Sequence, residues 1–130
     1  MLLFPPADLG SVPDREPENI DAEVSLLESA LMRVRTDVRA LADRAKGRLG
    51  NEEQALFDVY LRMLDKHALA GEIVAKIREG HWAQGALRIV IEAHIRNFEL
   101  MDDEYLRERA ADVRDLGRRV LAELQSRNRR

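Results

Sequence analysis

Apolar residues at Ile20, Val24, Leu27, Leu31, Val34, Val38, Leu41 and Ala45 recur in alternating steps of four and three. That heptad spacing predicts a long helix over about Glu18 to Leu49 with one seam, packed at a shallow angle on partner helices. Gly50 is the expected stop, since glycine enters the left-handed region cheaply. Asn51 then caps a second helix to about Asp65, with Gln54 placed to reach back as a capping box. A third, short helix spans about His67 to Glu79, turning Ile73, Val74 and Ile77 inward, and Gly80 closes it. A fourth runs from near Trp82 to about Met101, with Leu87, Val90, Ile91, His94 and Phe98 along its inner face. A fifth runs from Asp102 or Asp103 to about Arg127, with its seam at Leu106, Ala110, Val113, Gly117, Val120 and Leu124. The pattern predicts an all-α antiparallel bundle of about five helices, one short, preceded by an extended N-terminal segment.

Two helices depart from a plain bundle pattern. The second is apolar on two flanks. Phe57, Leu61 and Leu64 make one; Ala55, Leu56, Val59 and Met63 make the other, with Tyr60 between. Together they span roughly 200°, where a core-facing stripe needs about 100° or somewhat more. Either neighbours bury this helix on both sides, or one flank makes core and the other meets a second protein. The fifth helix is the opposite, with many charges around a narrow seam. Asp102, Asp103 and Glu104 suit its positive N-terminal end, and Arg127, Arg129 and Arg130 its negative C-terminal end. Asp103 with Arg107 and Asp115 with Arg119 are i,i+4 pairs, each contributing only a few tenths of a kcal/mol. Gly117 costs roughly 1 kcal/mol of helix propensity against alanine, so close approach of another helix is the expected compensation.

Composition narrows the class. The chain has 130 residues, enough for one small core, with 35% charged residues and few aromatics. All four prolines, Pro5, Pro6, Pro13 and Pro17, fall before the first helix. Residues 1–17 are therefore expected to be extended, mobile to about Pro13 or packed on a neighbouring molecule. The net charge of −3 is too mild to imply nucleic acid. No apolar run reaches membrane-spanning length, and MLLFPP lacks the features of a secretion signal. The absence of cysteine rules out disulfides and thiolate zinc sites and suits the cytoplasm.

The sequence holds no recognisable catalytic constellation. His67, His81 and His94 fall in no HExxH and no paired ExxH arrangement, so zinc-protease and di-iron sites lack ligands. His94 reads as a core histidine with a hydrogen-bond partner. There is no Walker loop, GxGxxG or GxSxG. Arg33, Arg35, Arg39 and Arg44 ring the outside of the first seam, so they read as a solvated face rather than a converging anion site. No catalytic residue and no metal ligand is expected.

The runs DDEYLRERAADVRDLGRRVL, EEQALFDVYLRMLD and WAQGALR together resemble the helical part of Enzyme I of the bacterial phosphoenolpyruvate-dependent phosphotransferase system. The resemblance extends from about Leu3 to Gln125. FDVYLRMLD and HWAQGALR resemble the nitrogen-related branch more than the sugar branch. It implies that residues 18–130 are the carrier-binding helical subdomain, and that residues 1–17 include an orphan strand of a phosphohistidine domain. The active histidine of the family follows serine or threonine in a glycine-rich loop. No Ser-His or Thr-His pair occurs here. The chain by itself is thus expected to carry no cofactor and no activity, magnesium and phosphoenolpyruvate belonging to the family's barrel domain.

What the resemblance implies for partners is an NPr-type (in the sugar branch, HPr-type) phosphocarrier protein and the phosphohistidine domain. Carried over by position, the docking face would comprise Glu52, Ala55, Leu56, Tyr60, Arg62, Met63, Lys66, Leu69, Tyr105 and Arg109. That agrees with the surplus apolar flank of the second helix. The alternative is a helical scaffold whose surplus flank serves homodimerisation.

Overall fold

The computed structural model describes residues 8–45, 47–48, 50–64 and 69–127, without the side chains of residues 51–53 and 56. Five helices follow a single 3-10 turn at Leu9–Ser11: α1 (Ile20–Ala45), α2 (Asn51–Met63), α3 (Gly71–Arg78), α4 (Ala83–Glu99) and α5 (Glu104–Arg127). They form the expected all-α antiparallel bundle.

The middle of the α1 seam is as read from the periodicity, with Val24, Leu27, Leu31, Val34 and Val38 buried, whereas Ile20 is exposed and Leu41 and Ala45 are half-buried. The helix ends differ from the expected ones. Asn19 starts the helix, its side-chain oxygen accepting from Ala22 N at 3.0 Å. Two residues after Ala45, Gly47 adopts φ +83°, so the helix stops there and not at Gly50. Gly50 is extended, with φ −70° and ψ 173°, and is itself the N-cap of α2. The expected cap at Asn51 is therefore one residue late. Glycine has no side chain to offer, so no capping box forms, and the Gln54 amide nitrogen is buried without a partner. At the other turn the expectation holds, since Gly80 takes φ +118° after α3. That helix is shorter than expected, because Leu69 and Ala70 form a π-type turn leading into Gly71.

The core is densest between α4 and α5. Leu87, Val90, Ile91 and Ile95 of α4 meet Val113, Leu116, Val120, Leu121 and Leu124 of α5, with Leu27 and Val38 of α1 closing the layer. A Cβ on Gly117 would lie 2.9 Å from Ile91 Cγ2 and 2.9 Å from Leu9 Cδ1. The glycine thus admits the neighbouring helix, as expected, and also a leucine from the N-terminal segment. The start of α4 has no cap from its own chain neighbours. Glu23 of α1 supplies one, accepting from Ala83 N at 2.7 Å, and so ties α1 to α4.

Residues 8–17 form a strap across α4 and α5. Leu9 and Val12 are buried. The Arg88 guanidinium donates to Val12 O at 2.6 Å, and the Trp82 indole donates to Pro13 O at 2.9 Å. Trp82 N donates to Arg15 O at 3.0 Å, while Arg15 stacks over the Trp82 ring at 4.3 Å. From Asp8 onward this overturns the expectation of a mobile segment or one packed on another molecule. Trp82 and Arg88 satisfy its backbone carbonyls from distant positions and Gly117 makes room for Leu9, which no local pattern announces. The suggested strand at Leu2 to Phe4 lies outside the described residues.

Of the two ion pairs expected on α5, Asp115–Arg119 forms at 3.1 Å. Asp103 and Arg107 do not pair. Asp103 instead caps Tyr105 N at 2.8 Å, and Arg107 donates to the carbonyls of Met101 and Asp102 at 3.0 and 2.8 Å. Both side chains satisfy groups left open at the α4–α5 turn, which competes with an exposed pair of small net value.

Candidate functional site

The second flank of α2 borders an apolar groove of about 210 Å³. Val59 and Met63 form one wall, with buried Leu69 beneath and Glu72 at the edge toward α3. His94 and Phe98 of α4 and Arg109 and Val113 of α5 complete it. Phe57, Leu61 and Met63 all pack half-buried against the core, Val59 is half-buried too, and Leu64 just past the helix is buried.

Polar contacts stiffen the rim. His94 Nε2 lies 3.0 and 3.1 Å from the two carboxylate oxygens of Glu72, so the histidine has its partner at the groove edge and is only partly buried. Arg109 Nε is 3.1 Å from Asp112 Oδ2, and both side chains are about four-fifths buried. The angle does not make a hydrogen bond, so the contact is ionic. Burial pushes the Asp112 carboxyl above its ordinary value, while Arg109 pulls it back. The Arg109 guanidinium also lies 4.6 Å over the ring of Tyr105, which is 58% exposed.

Tyr60 is a correction to the expected face. It is 4% exposed, and its hydroxyl donates to Asp115 Oδ2 at 2.8 Å. Arg119 Nε donates to the same oxygen at 3.1 Å. Burial first, then the bond to Asp115, pushes the Tyr60 hydroxyl far above the ordinary tyrosine range. Tyr60 bolts α2 to α5 instead of facing a partner. Leu69 is likewise 3% exposed and forms the groove floor. Of the other expected positions, Ala55, Arg62 and Tyr105 are exposed, and Met63 and Arg109 line the groove. The side chains of Glu52 and Leu56, and Lys66 altogether, lie outside the described residues. The structure thus brings Met63, Leu69 and Arg109 to one groove, with Tyr105 beside Arg109. Position-matching did not select Val59, Glu72, His94, Phe98 and Val113. The wide apolar band of α2 and the inner-face placing of His94 and Phe98 were the available signals.

Of the histidines expected to do no chemistry, His81 lies 2.9 Å from Asp14 of the strap, and His67 is outside the described residues. Among the described residues no three His, Asp or Glu side chains come together to hold a metal. No helix among them is long and apolar enough to cross a membrane.

The family described as "PEP-utilising enzyme, N-terminal" matches residues 3–109. The chain belongs to that family. Among its relatives, the phosphoenolpyruvate-protein phosphotransferase of Enterococcus faecalis is 38% identical over 109 residues, covering 82% of this chain and 19% of the relative. That of Listeria innocua is 37% identical over 110 residues, covering 84% and 19%. The chain therefore spans about a fifth of the length of the curated relatives it matches. A solved "N-terminal domain of Enzyme 1 - Nitrogen" superposes with a TM-score of 0.87 at 30% identity, over 98% of this chain and 53% of that one. A solution structure of an Enzyme I protein superposes with a TM-score of 0.79 at 25% identity, over 89% and 48%. The five helices match the helical N-terminal domain of Enzyme I.

Proposed function

We propose that this chain docks a phosphocarrier protein of the NPr type for a nitrogen-branch Enzyme I, which passes phosphoryl groups from phosphoenolpyruvate to the carrier's histidine. The observation that carries this reading is the preformed apolar groove between α2 and α5, rimmed by Met63 and Arg109 with Tyr105 alongside. Apolar anchors flanked by an exposed tyrosine and an arginine are the makings of a binding hot spot. The likeness to a solved Enzyme 1 - Nitrogen domain supports the branch. The contact side chains would be Ala55, Arg62, Met63, Tyr105 and Arg109, joined by Glu52, Leu56 and Lys66. Tyr60 and Leu69 act from beneath by fixing α2 and the groove floor.

In such a system the carrier's histidine meets a phosphohistidine domain, and this subdomain supplies positioning, a large part of catalysis in phosphoryl transfer. Magnesium and phosphoenolpyruvate would be held by the barrel domain, and the setting is cytoplasmic. Arg62 and Lys66 place two cations where the sugar branch has acidic and histidine groups. Like charges facing each other penalise the wrong partner, so these residues select a carrier with an acidic or neutral patch.

Titration of the labelled chain with purified nitrogen-branch and sugar-branch carriers tests this. Amide shifts are expected to cluster on Ala55, Arg62, Met63, Tyr105 and Arg109, with affinity on the order of micromolar to sub-millimolar, as a complex that must turn over requires. Arg62→Met with Lys66→Asp is expected to gain affinity for the sugar carrier and lose it for the nitrogen carrier. Equal binding of both carriers to both forms would remove these side chains as determinants. A mass that rises with concentration in the absence of carrier would favour homodimerisation through the same groove.

A further inference from the structure

On the other flank of the α4–α5 pair lies a second opening, about 370 Å³, roofed by the strap. On α5, Arg114 and Arg118 fall roughly opposite Arg109 and Val113 by helical spacing, so this cleft and the apolar groove are separate surfaces. Arg114 and Arg118 are i,i+4 neighbours of like charge, and Arg96 faces them from α4. Like charges at this spacing destabilise a helix by a few tenths of a kcal/mol. Three other arginines of α5 are matched by acids, in Arg109–Asp112, Arg119–Asp115 and Arg127–Glu123. Two acids, Glu92 and Asp8, line the cleft as well, but each is engaged elsewhere. Glu92 is engaged by Arg88 at 3.3 Å, and Asp8 caps Gly10 N of the strap at 3.0 Å. Glu99 reaches only Arg114, at 3.6 Å. Among the described residues Arg96 and Arg118 form no ion pair, and both are exposed.

We propose that this cleft binds a small doubly charged oxyanion, a phosphate group or a dicarboxylate, held between Arg96 of α4 and Arg114 and Arg118 of α5. Guanidinium forks match both chemistries, each presenting paired donors to paired oxygens. Leu9 and Ile95 give the cleft an apolar wall that would face the carbon skeleton of an ester or diacid. The strap forms its roof, so an occupied cleft would also hold Leu9 and Gly10 more firmly against α5.

The test is titration of the labelled chain with inorganic phosphate and, separately, with succinate, at constant ionic strength and with chloride as the reference. Saturable amide shifts at Leu9, Gly10, Arg96 and Arg118, with dissociation constants on the order of millimolar for exposed cations, are expected. Arg96→Gln with Arg118→Gln should weaken binding at least tenfold, while Arg96→Lys with Arg118→Lys should weaken it less, keeping charge but losing the fork. The tighter of the two anions identifies the ligand class. Equal shifts with chloride, or an affinity indifferent to the glutamine pair, would overturn the site. Met63→Ala, on the docking groove, should leave anion binding unchanged, so the two proposals fail separately.

Discussion

Helices α2 and α4 are both rich in apolar residues, yet they use them differently. The first turn and a half of α4 is buried throughout, from Ala83 to Leu87, and Val90, Ile91 and Ile95 continue into the core. In α2, Tyr60 is the one fully buried side chain among those described, and Leu64 just past the helix is another. Phe57, Val59, Leu61 and Met63 remain half-buried. Stability is concentrated in α4 and α5. α2 is held by half-buried contacts on both flanks and by one polar bolt, which leaves part of its apolar surface open. A helix that must offer apolar surface without unfolding needs such a division of labour.

The comparison breaks most sharply if a core leucine of α5 is removed. Leu121→Ala, at a side chain with no exposure, is expected to cost about 2–5 kcal/mol. Met63→Ala on α2, at a half-buried side chain on the margin of the core, should cost roughly 1 kcal/mol. Chemical denaturation of the two variants checks this, and equal losses would mean that α2 is as integral as α5.

Gly117→Ala comes next. The substitution gains about 1 kcal/mol of helix propensity but forces Ile91 and Leu9 aside, an overpacking cost of about 1–3 kcal/mol. A net loss of about 1 kcal/mol is expected, with weaker amide-exchange protection of Leu9 and Val12. Net stabilisation would show that the strap leucine moves aside freely.

Tyr60→Phe probes the bolt on α2. Losing the hydroxyl's bond to half-exposed Asp115 should cost about 0.5–1.5 kcal/mol near neutral pH. The pH dependence is more telling. The folded hydroxyl titrates well above the unfolded value of about 10, so its contribution is complete below that pH and declines as pH rises toward the folded value. Wild type should therefore lose stability above about pH 10 more steeply than Tyr60→Phe, with denaturant midpoints measured across that range as the check. Parallel curves would remove the burial argument.

Asp112 carries the smallest effect. Burial raises its folded carboxyl, so ionisation at higher pH costs stability and acidification recovers it. Asp112→Asn should flatten that limb above the ordinary carboxylate range. It should also release Arg109 from its ion pair, which would show as a change in carrier affinity with little change in denaturation midpoint.

Much of this division was legible in the heptad steps of α1 and α5 and in the two apolar flanks of α2. The number, order and packing faces of the helices follow from periodicity, which is a local property of the chain. The ends of α1 and α2 did not follow, because Gly47 and Gly50 compete for the same break and only packing decides which turns left-handed. Tyr60 was misplaced for a related reason. On a wheel it sits between the flanks, and nothing local reveals that Asp115, fifty-five residues on, accepts its hydrogen bond. The strap was the largest surprise, since each of its anchors comes from a distant helix. At the candidate site, resemblance located Met63, Leu69 and Arg109, but the walls from α3 and α4 emerged only when four helices met.

The strap also has a consequence for biosynthesis. Its seat is Trp82, Arg88 and Gly117, so Leu9 and Val12 are made long before the surfaces that cover them. At about 5–20 residues per second, the interval between Leu9 and the completed Gly117 region is on the order of 5–20 s. During that time two apolar side chains wait in a proline-bearing segment with little tendency to helix or sheet. Proline there keeps the waiting stretch from pairing with other nascent chains, which makes Pro13 and Pro17 guardians of the nascent state as much as parts of the finished one.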